Sequence, residues 1–342
     1  DPEMSRGLGD VYKRQVWHGN KPFSEYRKYF FRYASEFGFQ SFPSVKTLET
    51  VTDDPKELNP FSYVMEKHQR NYGGNGKIAK YMQAAYRYPE NFSDFVYASQ
   101  LLQADGIRYG VEHYRRNRGR CMGAIYWQLN DCWPVISWSS IDYYGRWKAL
   151  HYYAKRFFAP VMLSCEEQSW MTVEADMNRQ HFEFEKSIRL NVTNETLDAH
   201  RVLVKWAVRK TDATILREEE QWLEVPALSA VWMDKVELPQ IDCFNEYVSY
   251  EAWENDQIIS QGTVIFSYPK YFHYLNPGLA VRVDGDEIVV KAEAYAKSVE
   301  IRNENDDLIL EDNYFDMNAG EYRVKILDGK PDGLKVRSVY DI

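Results

Sequence analysis

Two short stretches hold the side chains best suited to chemistry. In Ser35-Glu36-Phe37-Gly38-Phe39-Gln40-Ser41-Phe42-Pro43, one carboxylate sits between an aromatic-rich approach, Tyr29 to Ala34, and a Gly-Phe-Gln turn. A carboxylate so placed can attack an electrophilic carbon or exchange a proton. It can equally pair with a neighbouring cation such as Arg32, and the local pattern leaves both readings open. In Trp127-Gln128-Leu129-Asn130-Asp131-Cys132-Trp133-Pro134, an indole is followed by polar side chains. An indole face stacks on surfaces rich in C–H bonds. Asn130 and Asp131 can bond hydroxyl groups or brace their own loop. Taken alone, two Trp near a strand end fit a core as well as a ligand platform.

Both stretches follow apolar runs that read as buried strands. Tyr29 to Ala34 leads to Glu36, and Cys121 to Gln128 (Cys-Met-Gly-Ala-Ile-Tyr-Trp-Gln) leads to the second stretch. Near-continuous apolar runs mark strands of a parallel sheet covered on both faces. Gly38 permits a sharp turn, and Pro43 bars further strand. A charge at the carboxyl end of such a strand stands where barrel enzymes place catalytic groups.

Both stretches resemble the β-mannosidases of glycoside hydrolase family 2. The resemblance implies that Glu36 is the nucleophile that attacks the anomeric carbon. It implies that Trp127 floors the −1 subsite, with Asn130, Asp131, Trp17 and His18 at the rim as substrate-binding residues. For His18 a structural role in a loop fits as well. Retaining chemistry needs two carboxyl groups about 5 Å apart. In the family the acid/base Glu follows an Asn on the fourth barrel strand, and nothing before Val16 fits that segment. The chain is therefore expected to be a truncated, carboxyl-terminal portion, inactive alone, of an enzyme acting on β-mannosides or manno-oligosaccharides. Other family 2 specificities (β-galactosidase, β-glucuronidase, exo-β-glucosaminidase) share the nucleophile, but the Phe-Gly-Phe-Gln-Ser run favours mannose. From a different class, a non-catalytic carbohydrate-binding module in 161–342 would use Trp170, Trp222 or Trp232. A purely structural accessory piece would instead bury and pair Glu36.

The composition agrees with a globular chain. Of 342 residues, 44% are hydrophobic and 27% charged, an ordinary balance. A net charge of −9 argues against nucleic acid, which requires a basic footprint. No apolar run approaches the roughly 20 residues of a membrane helix. Cys121, Cys132, Cys165 and Cys243 form no CxxC pair, so no metal or redox site is signalled and free thiols are expected. No cofactor is implied. Residues 1–15 lack the apolar segment of a signal peptide and match nothing in the family, which favours a cytoplasmic location and a non-native leader. The oligomeric state is left open.

The expected fold is α/β plus all-β. Residues 16–160 would be the last part of a (β/α)8 TIM barrel, with Val16-Trp17-His18-Gly19 ending its sixth strand. Ser44 would cap a short helix to Glu49, and residues 53–60 would form a turn-rich connection. Phe61–Arg70 and Lys77–Tyr86 would be helical. Gly73 to Gly76 would be a flexible break, with no P-loop register. Ser93 would cap a long helix ending at the basic cluster before Gly119. A last barrel helix would reach about Phe158. From Val161 the period becomes two: Phe182, Phe184, Ile188, Leu190 and Val192 share one parity, as do Val202, Val204, Trp206 and Val208. Strict alternation marks half-buried strands, here an immunoglobulin-like sandwich over 161–267. A second small β-sandwich would occupy 268–342.

Overall fold

The computed structural model describes residues 16–173 and 184–342. The leader 1–15 and Phe182 lie outside the described residues. The α-helices among these are α1 (Val45–Leu48), α2 (Tyr63–Lys67), α3 (Gly74–Ala85), α4 (Phe92–Arg116) and α5 (Ala149–Phe157). The strands are β1 (Ala34–Phe37), β2 (Ala124–Tyr126), β3 (Val161–Gln168), β4 (Ser187–Asn194), β5 (His200–Lys210), β6 (Ile215–Val225), β7 (Ser229–Trp232), β8 (Val236–Glu237), β9 (Glu246–Glu254) and β10 (Gln257–Ile265). They continue with β11 (Ala280–Asp284), β12 (Glu287–Ala292), β13 (Ala296–Arg302), β14 (Ile309–Leu310), β15 (Phe315–Met317), β16 (Gly320–Asp328) and β17 (Lys335–Arg337).

Contacts group the chain into two compact units. Of the described residues, the first holds 16–37, Arg108–Ile125, 155–173 and 184–273. The second holds Gly38–Ile107, Tyr126–Ala154 and Tyr274–Ile342. The stretch expected to be barrel is thus divided between them. Among the described residues it contributes only the strands β1 and β2, which pair with each other, and no barrel closes. Both strands are shorter than expected. Tyr29–Tyr33 precede β1 rather than belong to it, and β2 has three residues where eight were expected. Met122 N–H donates to the Arg32 carbonyl ahead of both strands, and Ala34 N–H at the start of β1 donates to the Gly123 carbonyl. Residues 16–20 form a turn followed by a 3-10 helix, Phe23–Lys28, not a strand end.

In the first unit, sheets β3-β4-β7 (with β8 on β4) and β10-β9-β5-β6 enclose one apolar core. Alternation decides which side chains enter it. Ile188, Leu190 and Val192 of β4 point inward, as do Val202, Val204, Trp206 and Val208 of β5. Arg201, Leu203 and Lys205 take the opposite parity and face outward. This is the expected immunoglobulin-like sandwich.

In the second unit, sheets β11-β12-β16-β14 and β15-β13-β17 surround Ile288, Val290, Val299, Leu310 and Val324, all buried. The amino-terminal half of α4 adjoins this β-layer through polar groups. Tyr97 donates its hydroxyl to the Ser298 carbonyl at 2.5 Å, and Arg337 bonds Asp94 at 2.9 Å and also Glu300. Ser44 caps α1 as expected, accepting from Lys46 N–H. Two helix starts differ from expectation. Gly73, with φ of +67°, is the N-cap of α3, so the glycine run opens a helix instead of breaking the chain. The helix α4 begins at Phe92, and Asn91 Oδ1 accepts from Asp94 N–H at 3.0 Å. Asparagine thus serves where serine was expected. Cys121, Cys132, Cys165 and Cys243 are free thiols. No described helix is long and apolar enough to cross a membrane.

Candidate active site

In the first unit, Glu36 is placed by the seating of its neighbour. The Phe37 ring meets Tyr26 edge-on at 5.4 Å and Tyr114 edge-on at 5.6 Å. Tyr114 in turn contacts Phe31 at 5.8 Å. The groove for Phe37 exists because α4 carries Gly110, where an added Cβ would fall 2.8 Å from the Phe37 ring. Strand alternation then turns Glu36 away from the ring cluster. Glu36 is half-buried. Among the described residues its carboxylate takes part in no hydrogen bond or ion pair, so the pairing with Arg32 does not form. Below this strand, His113 Nε2–H donates to the Tyr29 carbonyl at 2.8 Å. Burial depresses the His113 imidazole to about 4, so the ring is neutral near pH 7.

Trp17 and His18 part company. Trp17 is 2% exposed, inside the protein rather than at a rim, because it lies in the buried start of the turn before Lys21. His18 is exposed.

In the second unit the residues after each motif are stitched together. Gly38 leaves room that no other residue would: an added Cβ would sit 2.5 Å from the Trp127 carbonyl oxygen and 2.9 Å from the Trp138 ring. Ser41 N–H donates to the Ser137 carbonyl at 3.0 Å. Gln103 of α4 is buried between the segments. Its Nε2 lies 2.9 Å from the Phe39 carbonyl, 3.0 Å from that of Trp138 and 3.3 Å from that of Ser139. Its Oε1 accepts from Ser41 Oγ at 2.6 Å. Irregular backbone has no ladder to satisfy its polar groups, so a buried amide side chain does so here.

Trp127 is 47% exposed and the Trp127–Gln128 peptide is cis. Asn130 is exposed, whereas Asp131 is buried. The Asp131 carboxylate accepts from Ser137 Oγ at 2.7 Å, Ser139 Oγ at 2.5 Å and Gln128 Nε2 at 3.2 Å. It therefore braces its loop, the other of the two roles open to it from sequence. Lys148 is buried nearby, its Nζ 3.4 Å from the Ser41 carbonyl. Burial lowers its ammonium to about 8, against the opposing pull of Asp131 and Asp142. Trp133 is held by His68, stacked at 5.0 Å, and by the Arg70 guanidinium at 4.7 Å. His68, the C-cap residue of α2, donates its Nδ1–H to the Pro134 carbonyl.

Gln103 and Lys148 were missed from sequence. Gln103 interrupts the apolar face of α4 beside buried Ser99 and Gln100. Polar residues on a buried helical face are the signal that was available. Lys148 gives no such signal. The tryptophans weighed for a binding module are engaged in the first unit. Trp170 stacks on Tyr271 at 5.2 Å. Arg201 lies over Trp222 at 4.6 Å and Arg189 over Trp232 at 4.7 Å. No cluster of metal-ligating side chains occurs among the described residues.

Comparison with known proteins gives a consistent set of likenesses. Residues 186–271 match the family described as Mannosidase Ig/CBM-like domain, and residues 274–342 match the family described as Ig-fold domain. Beta-mannosidase B of Thermothelomyces thermophilus is 29% identical over 97% of this chain and 42% of its own length. The beta-mannosidase of Capra hircus is 39% identical over 38% of this chain and 16% of its own length. The crystal structure of a beta-D-mannosidase from Dictyoglomus thermophilum aligns with a TM-score of 0.83 at 26% identity, over 96% of this chain and 40% of that one. An exo-chitosanase from Amycolatopsis orientalis, at 14% identity and a TM-score of 0.65 over 97% of this chain and 45% of its own, shares the fold. The chain resembles β-mannosidases and spans about two fifths of the length of those it matches along nearly all its residues.

Proposed function

We propose that this chain is the nucleophile-bearing portion of a retaining exo-β-mannosidase of glycoside hydrolase family 2, which removes terminal β-D-mannose from non-reducing ends. The observation that carries the reading is the likeness to β-mannosidases over 97% of the chain, a span that includes both motifs. Residues 16–160 are then the last part of a TIM barrel, whose remaining strands lie in sequence outside these 342 residues. The domains follow at 161–267 and 268–342, close to the family matches at 186–271 and 274–342.

In this reading Glu36 attacks the anomeric carbon. The C–O bond to the leaving group breaks as that oxygen takes a proton from a second carboxylic acid. A glycosyl ester on Glu36 results. Water, deprotonated by the same second carboxylate, then releases mannose and restores Glu36. A nucleophile must be ionised and unencumbered, and a half-buried carboxylate without a hydrogen-bonded partner meets the second requirement. Trp127 offers an exposed indole face to the sugar ring, and Asn130 and His18 are exposed polar residues. The likeness to an exo-chitosanase extends to the fold and does not bear on which sugar is taken.

The test uses the full-length protein that carries this sequence. Glu36→Gln is expected to lower kcat on an aryl β-mannoside by roughly 10⁴-fold or more, as removal of a nucleophile does elsewhere. Activity within tenfold of the parent would sink the assignment of Glu36. A panel of aryl β-glycosides tests the sugar: faster turnover of the galactoside, glucuronide or glucosaminide would replace mannose. The 342-residue chain by itself is expected to leave the mannoside intact, since the second carboxyl group is supplied from elsewhere.

A further inference from the structure

Trp127 poses a mechanical problem. An indole that is 47% exposed is not fixed by burial, yet a stacking platform must hold one orientation, because small misplacement of a binding surface is costly to rate. Something must fix the backbone on which the indole rides.

The fixing groups converge on Asp131. Gln128, next to Trp127, gives its Nε2–H to Asp131 Oδ1 at 3.2 Å and to the Asn130 carbonyl at 2.9 Å. Its backbone N–H goes to the Trp138 carbonyl at 3.0 Å. Ser137 and Ser139, on either side of Trp138, donate their hydroxyls to the two Asp131 oxygens. Ser137 Oγ also accepts from Ser139 N–H at 3.0 Å. One buried carboxylate therefore ties the residue after the indole to the segment that closes the loop. The arrangement leaves Asp131 little capacity for a sugar hydroxyl, since both oxygens accept from internal donors.

We propose that Asp131 is a positioning residue, which orients the Trp127 indole through Gln128 and does not itself contact substrate. The inference rests on the reading of Trp127 as the sugar platform. It assigns to Asp131 a role acting through another side chain, where the sequence pattern left a direct sugar contact equally open.

A double-mutant cycle in the full-length enzyme separates the two ideas. Trp127→Ala, Asp131→Asn and the double variant are assayed for kcat/KM on an aryl β-mannoside. Asp131→Asn is nearly isosteric and is expected to lower kcat/KM about tenfold to a hundredfold. In the Trp127→Ala background the same change is expected to cost less than about twofold, because coupled residues are non-additive. Full additivity would overturn the inference, and so would an Asp131→Asn variant with unchanged kcat/KM. An inert Trp127→Ala would instead remove the platform reading beneath it. Should Asp131→Asn fold poorly, Ser139→Ala keeps the carboxylate and removes one donor, and the same non-additivity is expected. Amide exchange gives a readout without catalysis. Ser140 N–H donates to the Gln128 carbonyl at 3.0 Å; in the 342-residue chain carrying Asp131→Asn, the Gln128 and Ser140 amides are expected to exchange at least about tenfold faster while those within α4 do not change. Equal acceleration everywhere, or none at Gln128, would count against the proposal.

Discussion

Phe37, beside Glu36, rests on rings; Gln128, beside Trp127, rests on hydrogen bonds. Around Phe37 the partners are Tyr26, Tyr114 and the bare backbone of Gly110. Around Gln128 they are the Trp138 and Asn130 carbonyls and Asp131, whose carboxylate in turn accepts from the hydroxyls of Ser137 and Ser139. The difference follows from backbone geometry. A strand satisfies its own peptide groups and needs only an apolar seat on one side. A loop that turns back on itself has unpaired peptide groups, and these require polar side chains inside the protein. The apolar seat leaves the neighbouring carboxylate without partners. The polar lattice instead consumes the carboxylate within it. Two acidic residues in two motifs thus have opposite fates: among the described residues Glu36 has no hydrogen-bonded partner, whereas Asp131 has three.

The ring seat should be the costlier to damage. Phe37→Ala removes a buried ring from between two others and is expected to destabilise the fold by about 4 kcal/mol, against about 1 kcal/mol for Phe37→Leu. Denaturant unfolding of the 342-residue chain measures both. Similar small losses for the two variants would show that the ring cluster collapses around the gap and does not fix the strand.

Titration distinguishes the two regions next. Each holds a buried base whose folded-state pKa lies well below its usual value, His113 near the strand and Lys148 beneath the loop. In each case the unfolded chain binds more protons between the two pKa values, so stability rises with pH across that interval. For His113 the interval runs from about 4 to the usual 6.5, and stability is lost as pH falls through it. For Lys148 it runs from about 8 to the usual 10.5, and stability is gained as pH rises through it. Either shift corresponds to about 3 kcal/mol at full extent. His113→Gln should flatten the acid limb of a stability-against-pH curve, and Lys148→Met the alkaline limb. If each variant alters the limb assigned to the other, the placement of these groups is wrong.

How far such features are legible in a sequence depends on what holds them. The sandwich is plain from alternation, since Val202, Val204, Trp206 and Val208 enter the core by the geometry of any strand. The buried face of α4 is equally plain from Phe95, Ala98, Leu101 and Leu102. The strand lengths are not. Tyr29–Tyr33 and Cys121–Gly123 are as apolar as strand residues, yet they pair only at single points, and composition does not record which peptide groups find partners. Within the candidate site, Glu36 and Trp127 stand out by residue type and by resemblance. The burial of Trp17 does not, because it depends on the turn that follows. Gln103 and Lys148 join segments far apart in sequence, a relation no local pattern can carry.

Gln103 offers the smallest and sharpest test of the polar side of the comparison. Its amide satisfies carbonyls of Phe39, Trp138 and Ser139, and its oxygen satisfies Ser41 Oγ. Gln103→Leu keeps the volume approximately but leaves these groups without their donor or acceptor. An unsatisfied buried group costs about 1–3 kcal/mol, and partial relaxation should hold the sum near 2 kcal/mol rather than at several times that. The effect should be local. Amides of Ser41 and Gln128, which bond the Ser137 and Trp138 carbonyls, are expected to exchange faster, while Leu101 and Leu102 on the helix keep their protection. If instead the helix itself loosens, Gln103 serves α4 and not the loop. The lattice around Trp127 would then be held by Asp131 and its serines alone.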